Sequence, residues 1–277
     1  MPMILCPVCG EPLIRLEKQY RCPSGHCFDL AKQGYVNLLT VDQKHSLHPG
    51  DTKEMVAARR AFLQGGFYAP IAQTVCEAAL AFAPHAQALL DVGCGEGYYS
   101  AQVANTLHCQ LFGLDISKEA VRYAAGQYKN GNWICATAAR LPFEADSFDL
   151  LLSMFALTIP EEFHRVLQKS GVFLQVLAAS DHLLRLKSII YPTAVQKEKE
   201  TAPAFPGFSL LESKRLTFSC TVEGAQVQNL LAMTPHFWRI SKEGAQRLAE
   251  TKRLEDRASI ILNVYQKEVS YGAGNRI

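Results

Sequence analysis

Residues 88–107 read ALLDVGCGEGYYSAQVANTL. The opening run ALLDV is short and apolar, the pattern of a strand buried on both faces of a parallel sheet. Gly93, Gly95 and Gly97 follow at alternate positions, and YYSAQVANTL reads as a helix. A strand, a glycine turn and a helix in that order let a ligand approach the backbone where a Cβ would block it. The spacing D-V-G-C-G-E-G is not G-x-G-x-x-G, which argues against a dinucleotide pyrophosphate site. Asp115 stands twenty residues past Gly95, near the end of the apolar run QLFGLDIS. A carboxylate at the tip of a second strand can accept hydrogen bonds from both hydroxyls of a ribose.

The same alternation extends on both sides. Upstream, DTKEMVAARRAFLQ (51–64) places Met55, Ala58, Phe62 and Leu63 on one helical face, with Asp51 as a plausible N-cap and Gly65–Gly66 as a stop. YAPIAQTVCEAALAFA (68–83) repeats the period with Pro70 near the start. Downstream, residues 132–155 predict a strand, a loop and a strand. EEFHRVLQKSG predicts a helix stopped at Gly171, and VFLQVLA a further strand. Strands alternating with helices predict an α/β, doubly wound parallel sheet, with ligands at the carboxyl ends of its strands. Residues 183–233 interrupt it as a substrate-facing insertion, in which 197–207 is expected to be mobile. The last strands are expected at 213–223 and 258–267, before a disordered tail.

The chain has 277 residues, 48% hydrophobic and 19% charged, with a net charge of +2. These values suit a soluble globular protein and give no global basic field for nucleic acid, although a local basic face is compatible with them. There is no signal-peptide pattern and no apolar run of membrane-spanning length, so a cytoplasmic location is expected. Nine cysteines in a reducing compartment point to metal ligands or buried thiols instead of disulfides.

Four candidate ligands gather near the N-terminus. Cys6 and Cys9 form a C-x2-C knuckle, and Cys22 and His26 form a C-x3-H knuckle, with Cys27 competing for the fourth place. Two such knuckles make a closed tetrahedral set for Zn²⁺, and a closed set is structural. A head of about 40 residues buries too little apolar area to fold alone, so the metal supplies folding free energy.

LLDVGCGEGYYS, GLDIS, LPFEADSFDLLLS and FHRVLQKSG together resemble the class I S-adenosylmethionine-dependent methyltransferases, with their Rossmann-like fold. Adding CPVC, RCPSGHCFDLAKQGYVNLL, HPGDTKEMVAARRAFLQGGFYAP and LLAMTPHFWR, the chain resembles the 23S rRNA guanine-N1-methyltransferase family over nearly its full length. The resemblance implies a zinc-binding RNA-recognition domain (1–45), a helical linker (46–84) and a methyltransferase domain (85–277). It also implies a homodimer acting on a hairpin of 23S rRNA. Cys6, Cys9, Cys22 and His26 fall on the family's zinc ligands. Gly93, Gly95, Gly97 and Asp115 fall on its cofactor loop and ribose acid, and Tyr68, Tyr99, Ser100 and His182 on further cofactor contacts. The adenine edge would lie at Ala136–Ala138. Two segments depart from the family: Ala156, Leu157 and Thr158 replace a polar, proline-containing loop at the base pocket, and QKSG replaces K-P-G-G.

RNA needs cations for phosphate and planar groups for a splayed base. Lys44, Arg59, Arg60, Arg185, Lys187 and the group Phe237–Trp238–Arg239 are the candidates, set against a solvated helix face for the two arginines and core packing for Trp238. No proton acceptor for guanine N1 is identified, although Asp181 and His182 stand at the right strand end. Two rival readings remain at this stage: a methyltransferase acting on another RNA or a small molecule, and a non-enzymatic zinc RNA-binding protein on a degenerate scaffold.

Overall fold

The computed structural model describes residues 2–43, 49–192 and 200–269. Lys44, most of the expected mobile segment's first residues (197–199) and the tail after residue 269 lie outside them.

A three-stranded antiparallel sheet comes first, from β1 (Ile14–Arg15), β2 (Gln19–Arg21) and β3 (Cys27–Asp29). The main body follows, with β4 (Tyr35–Asn37), α1 (Lys53–Gln64), α2 (Ala69–Phe82), β5 (Ala88–Val92), α3 (Tyr98–Leu107), β6 (Gln110–Asp115) and α4 (Lys118–Gln127). It continues with β7 (Gly131–Cys135), β8 (Phe148–Met154), α5 (Pro160–Val166), β9 (Leu167–Ala178) and α6 (Leu184–Ile190). The chain closes with β10 (Phe208–Glu223), α7 (Ala225–Ala232), a 3₁₀ turn (Pro235–Arg239), α8 (Lys242–Glu250) and β11 (Arg253–Lys267).

Eight strands form one sheet in the order β10-β11-β9-β8-β5-β6-β7-β4. The pairs from β9 through β4 are parallel, while β10 and β11 join antiparallel, so the sheet is mixed. From β5 the chain runs outward through β6 to β7, then returns to β8 on the other side. The carboxyl ends of β5 and β8 therefore border the topological switch point, where open α/β sheets bind ligands. All five residues of β5 are buried, as a strand covered on both faces requires.

Three local expectations shift. Thr52, not Asp51, caps α1: its Oγ1 accepts from the Met55 amide at 3.3 Å, which leaves the Asp51 carboxylate for another partner. The helix expected through QKSG ends at Val166, because Leu167 already pairs with Phe148; Ser170 then takes a left-handed φ of 62° within β9. The last two strands are longer than expected, pairing from Phe208↔Lys267 to Glu223↔Arg253, and the helices α7 and α8 lie between them.

The head is joined to the body at two places. β4 extends the main sheet beyond β7, with Tyr35 opposite Trp133. The Leu5 amide donates to the Pro142 carbonyl at 2.8 Å, and Ile4 bridges to Phe143. Ile4, Cys6, Leu13, Tyr20 and Cys22 share one buried cluster with Leu38, Ile134, Phe143 and Phe148. Head and body thus have a continuous apolar core on this side of the sheet.

Candidate metal and cofactor sites

The metal site is built by two turns. Cys6 and Cys9 flank the first, closed by the Gly10 amide donating to the Cys6 carbonyl at 2.8 Å; Cys22 and His26 flank the second. The three Sγ atoms and an imidazole nitrogen of His26 all lie within 4.8 Å of one another. Cys9 Sγ stands 3.6 Å from Cys22 Sγ, and Cys22 Sγ stands 3.3 Å from His26 Nδ1. A tetrahedron with Zn–S bonds of about 2.3 Å has edges of about 3.8 Å, so the set fits Zn²⁺. The His26 amide also points at Cys22 Sγ at 3.3 Å, which favours the thiolate form a metal needs. Cys27 is turned away: it is exposed, and its Sγ meets the Gly25 carbonyl at 3.4 Å. Of the two residues competing for the fourth place, the structure brings His26 to the cluster.

The three glycines after β5 have different neighbours. All take positive φ, at 81°, 56° and 87°. A Cβ on Gly93 would stand 2.5 Å from the Ala156 side chain, and one on Gly97 2.6 Å from the Trp133 ring. These two glycines therefore admit protein: the loop after β8, and an indole that also lies against Gly113 and Gly131. At Gly95 a Cβ would meet the Arg59 guanidinium at 3.4 Å and no other described group within 4 Å.

Asp115 holds the loop from below. Its Oδ2 accepts from the Gly95 amide at 2.9 Å and its Oδ1 from the Ser117 amide at 2.8 Å. Burial pushes its carboxyl up, and these two amides pull it back. The residue remains partly exposed, and each oxygen keeps a second lone pair for a ribose hydroxyl. At the head of α3, Ala101 is the first amide to engage the helix, through the Gly97 carbonyl; those of Tyr98 to Ser100 precede it. The Ser100 hydroxyl is fully buried and donates to Asp91 Oδ2 at 2.5 Å, so its side chain supports the loop from behind.

Among the described residues three buried side-chain polar atoms have no partner: Asp91 Oδ1, the Tyr99 hydroxyl and Ser153 Oγ. Asp91 and Ser153 lie on β5 and β8, where Asp91 pairs with Leu152, the neighbour of Ser153. Burial pushes the Asp91 carboxyl up to about 7. Such orphaned atoms leave room for a polar ligand or a water at the switch point.

Tyr68 and His182, far apart in sequence, meet in space. The Tyr68 hydroxyl is 3.2 Å from His182 Nε2, and His182 Nδ1 lies about 3 Å from both the carbonyl and the amide of Ser259. Burial drives the Tyr68 phenol well above its usual range, so it stays neutral. Phe155, at φ 55°, holds its ring 6.3 Å from the His182 ring. Its loop is pinned: the Phe155 amide donates to the Val176 carbonyl at 2.9 Å, and Gln175 donates to the Thr158 hydroxyl at 2.9 Å. Asp181 is paired with Arg215 at 2.5 Å and held below the usual carboxylate range, burial being outweighed by Ser259 and Arg215.

Two of the candidates for RNA contact do not take the alternative set against them. Arg59 does not lie on a solvated helix face: its side chain is 27% exposed and bonds Asp51 and the Met233 carbonyl at 2.5 and 3.2 Å. Arg60 lies over the Tyr123 ring at 4.9 Å. Trp238 is 64% exposed, so it is not core packing, and its ring centroid is 5.3 Å from that of Phe237.

Residues 4–47 match the zinc-ribbon family described as RlmA, N-terminal, and residues 90–175 match a methyltransferase domain. A 23S rRNA (guanine(748)-N(1))-methyltransferase of Streptomyces fradiae is 34% identical over 88% of this chain and 89% of its own. YxjB of Bacillus subtilis (strain 168), which carries a 23S rRNA (guanine-N(1)-)-methyltransferase name, is 30% identical over 90% of this chain and 92% of its own. The glycine cradle, the Asp115 tip and the unpartnered Asp91 oxygen fit S-adenosylmethionine, the methyl donor of such a domain. Matched through both head and catalytic body, the chain belongs to the 23S rRNA (guanine-N1)-methyltransferase family.

Proposed function

We propose that this protein transfers a methyl group from S-adenosylmethionine to N1 of a guanine in a hairpin loop of 23S rRNA, acting as a cytoplasmic homodimer. The observation that carries the reading is the near full-length match to rRNA guanine-N1 methyltransferases, spanning the zinc head and the cofactor cleft alike. Head (1–45), linker (46–84) and catalytic part (85–277) are the proposed functional division. Among the described residues no helix is long and apolar enough to cross a membrane.

In this reading Cys6, Cys9, Cys22 and His26 hold a structural zinc that fixes the head for RNA recognition. Gly95 and the amides of Tyr99 and Ser100 meet the amino-acid part of the donor, and Asp115 meets its ribose. Tyr68 and His182 stand beside its methionine end. The bound donor supplies a methyl group made electrophilic by its sulfonium. The protein's task is then positioning, which turns a two-body encounter into an intramolecular one. Phe155 offers a half-exposed ring at the cleft mouth on which a splayed guanine can stack. Trp238, Arg239 and Arg185 are exposed and suit the flanking RNA. Asp181 is a poor acceptor for the N1 proton, because its ion pair keeps it weakly basic.

Mass mapping of guanine N1-methylation in 23S rRNA tests the reading. A strain without the gene should lose one such mark and regain it with the intact chain. Survival of every mark would refute it.

A further inference from the structure

Arg59 is the feature of the cleft that the cofactor contacts above leave unused. It reaches from α1 to the glycine loop, where its guanidinium meets Asp51, the Met233 carbonyl and the Cβ side of Gly95. Acidic groups crowd the same place. Asp51, Asp91, Glu96 and Asp115 are all near the loop, and Glu96 is only 4% exposed. Burial raises the carboxyls of Glu96 and Asp115, and the charge of Arg59 opposes the rise in both.

Such a cleft suits the ammonium of an amino acid but repels its carboxylate. A ligand carrying both charges needs a cation at its acidic end, and Arg59 Nη1 stands beside Gly95, 3.4 Å from where a Cβ would be. A guanidinium can keep one N–H on the Met233 carbonyl and still turn others to a carboxylate, which a lysine ammonium does less well. We infer that Arg59 receives the α-carboxylate of the methyl donor, exchanging its Asp51 partner for that of the ligand. The inference rests on the cofactor reading of the cleft.

Calorimetry with two ligands separates the roles. S-Adenosylhomocysteine carries the amino acid; 5′-methylthioadenosine has the same adenosine and thioether without it. Arg59→Gln should weaken S-adenosylhomocysteine about 10- to 100-fold, the value of a charge-assisted pair, and leave 5′-methylthioadenosine within about twofold. Arg59→Lys should fall between. Asp51→Asn, which frees the guanidinium, should tighten S-adenosylhomocysteine several-fold without changing 5′-methylthioadenosine, and it serves even where Arg59→Gln does not fold. Equal losses on both ligands, or no loss on either, would overturn the inference. Failure of the unaltered protein to bind S-adenosylhomocysteine at all would instead defeat the cofactor reading.

Discussion

Replacing Asp91 with asparagine should make this protein more stable at pH 8 and worse at holding its cofactor. Asp91 is 1% exposed, has one partner in Ser100 and one oxygen with none, and its carboxyl is pushed from 3.8 up to about 7 by burial. The unfolded chain ionises this group near pH 4, whereas the folded chain keeps its proton until about pH 7. Between those values the folded state binds more protons, so stability falls as pH rises. The gap of about three pH units, at about 1.4 kcal/mol each, is a penalty on the order of 4 kcal/mol above pH 7. Asparagine removes that penalty but buries an amide N–H₂ at the unpartnered position, which costs about 1–3 kcal/mol. The net gain at pH 8 is therefore about 1–3 kcal/mol, shrinking to a loss below pH 4. Urea unfolding of the zinc-loaded, cofactor-free protein at pH 5 and pH 8 measures it. The unaltered chain should lose more stability across that interval than Asp91→Asn. Parallel pH slopes in the two proteins would show that Asp91 is not the buried titrating group. Calorimetry should also show weaker S-adenosylhomocysteine binding by the variant, because it removes one of the acidic groups that we propose attract the ligand's ammonium.

His26→Ala should release zinc and lower the melting temperature steeply, whereas Cys27→Ser should keep one zinc per chain and melt within a degree or two; metal analysis with calorimetric melting checks both. Asp115→Ala should weaken S-adenosylhomocysteine at least 10-fold in titration calorimetry, since it removes both the proposed ribose acceptor and the anchor of the Gly95 amide. Gly97→Ala combines a left-handed backbone, about 1 kcal/mol, with crowding of Trp133, about 1–3 kcal/mol. Trp133→Leu should relieve only the crowding, so the double-mutant cycle by urea unfolding should show coupling; simple additivity would contradict the packing account. Phe155→Ala should lower kcat/KM for an rRNA hairpin while leaving S-adenosylhomocysteine affinity within about twofold.

The parts of this molecule legible in the sequence are the local ones. A buried strand, a glycine turn and a helix declare themselves within twenty residues, and a zinc knuckle within four. What escaped depends on distant partners. Arg59 reads from sequence as an RNA contact or a solvated helix residue, and its bond to the Met233 carbonyl, 174 residues away, is legible in neither reading. The three residues YVN carry too short a pattern to announce that β4 would join the main sheet. QKSG reads as the end of a helix because Lys and Gly are good C-terminal signals, yet pairing with β8 takes the backbone into a strand four residues earlier. Gly97 reads as a place of close ligand approach, and its crowding by an indole from β7 is visible only once the strands are placed side by side.

The pairing of β4 with β7 also sets an order in time. Tyr35 leaves the ribosome roughly a hundred residues before its partner Trp133. At about 5–20 residues per second, that interval is about 5–20 s. Throughout it β4 lacks its partner strand, and Cys6 and Cys22 lack Phe143 and Phe148, which later share their buried cluster. Its four metal ligands, by contrast, span only residues 6 to 26. A zinc bound at that stage would tie the two knuckles together before β7 exists, so the head's fold can be set locally while its edge strand still waits for a partner.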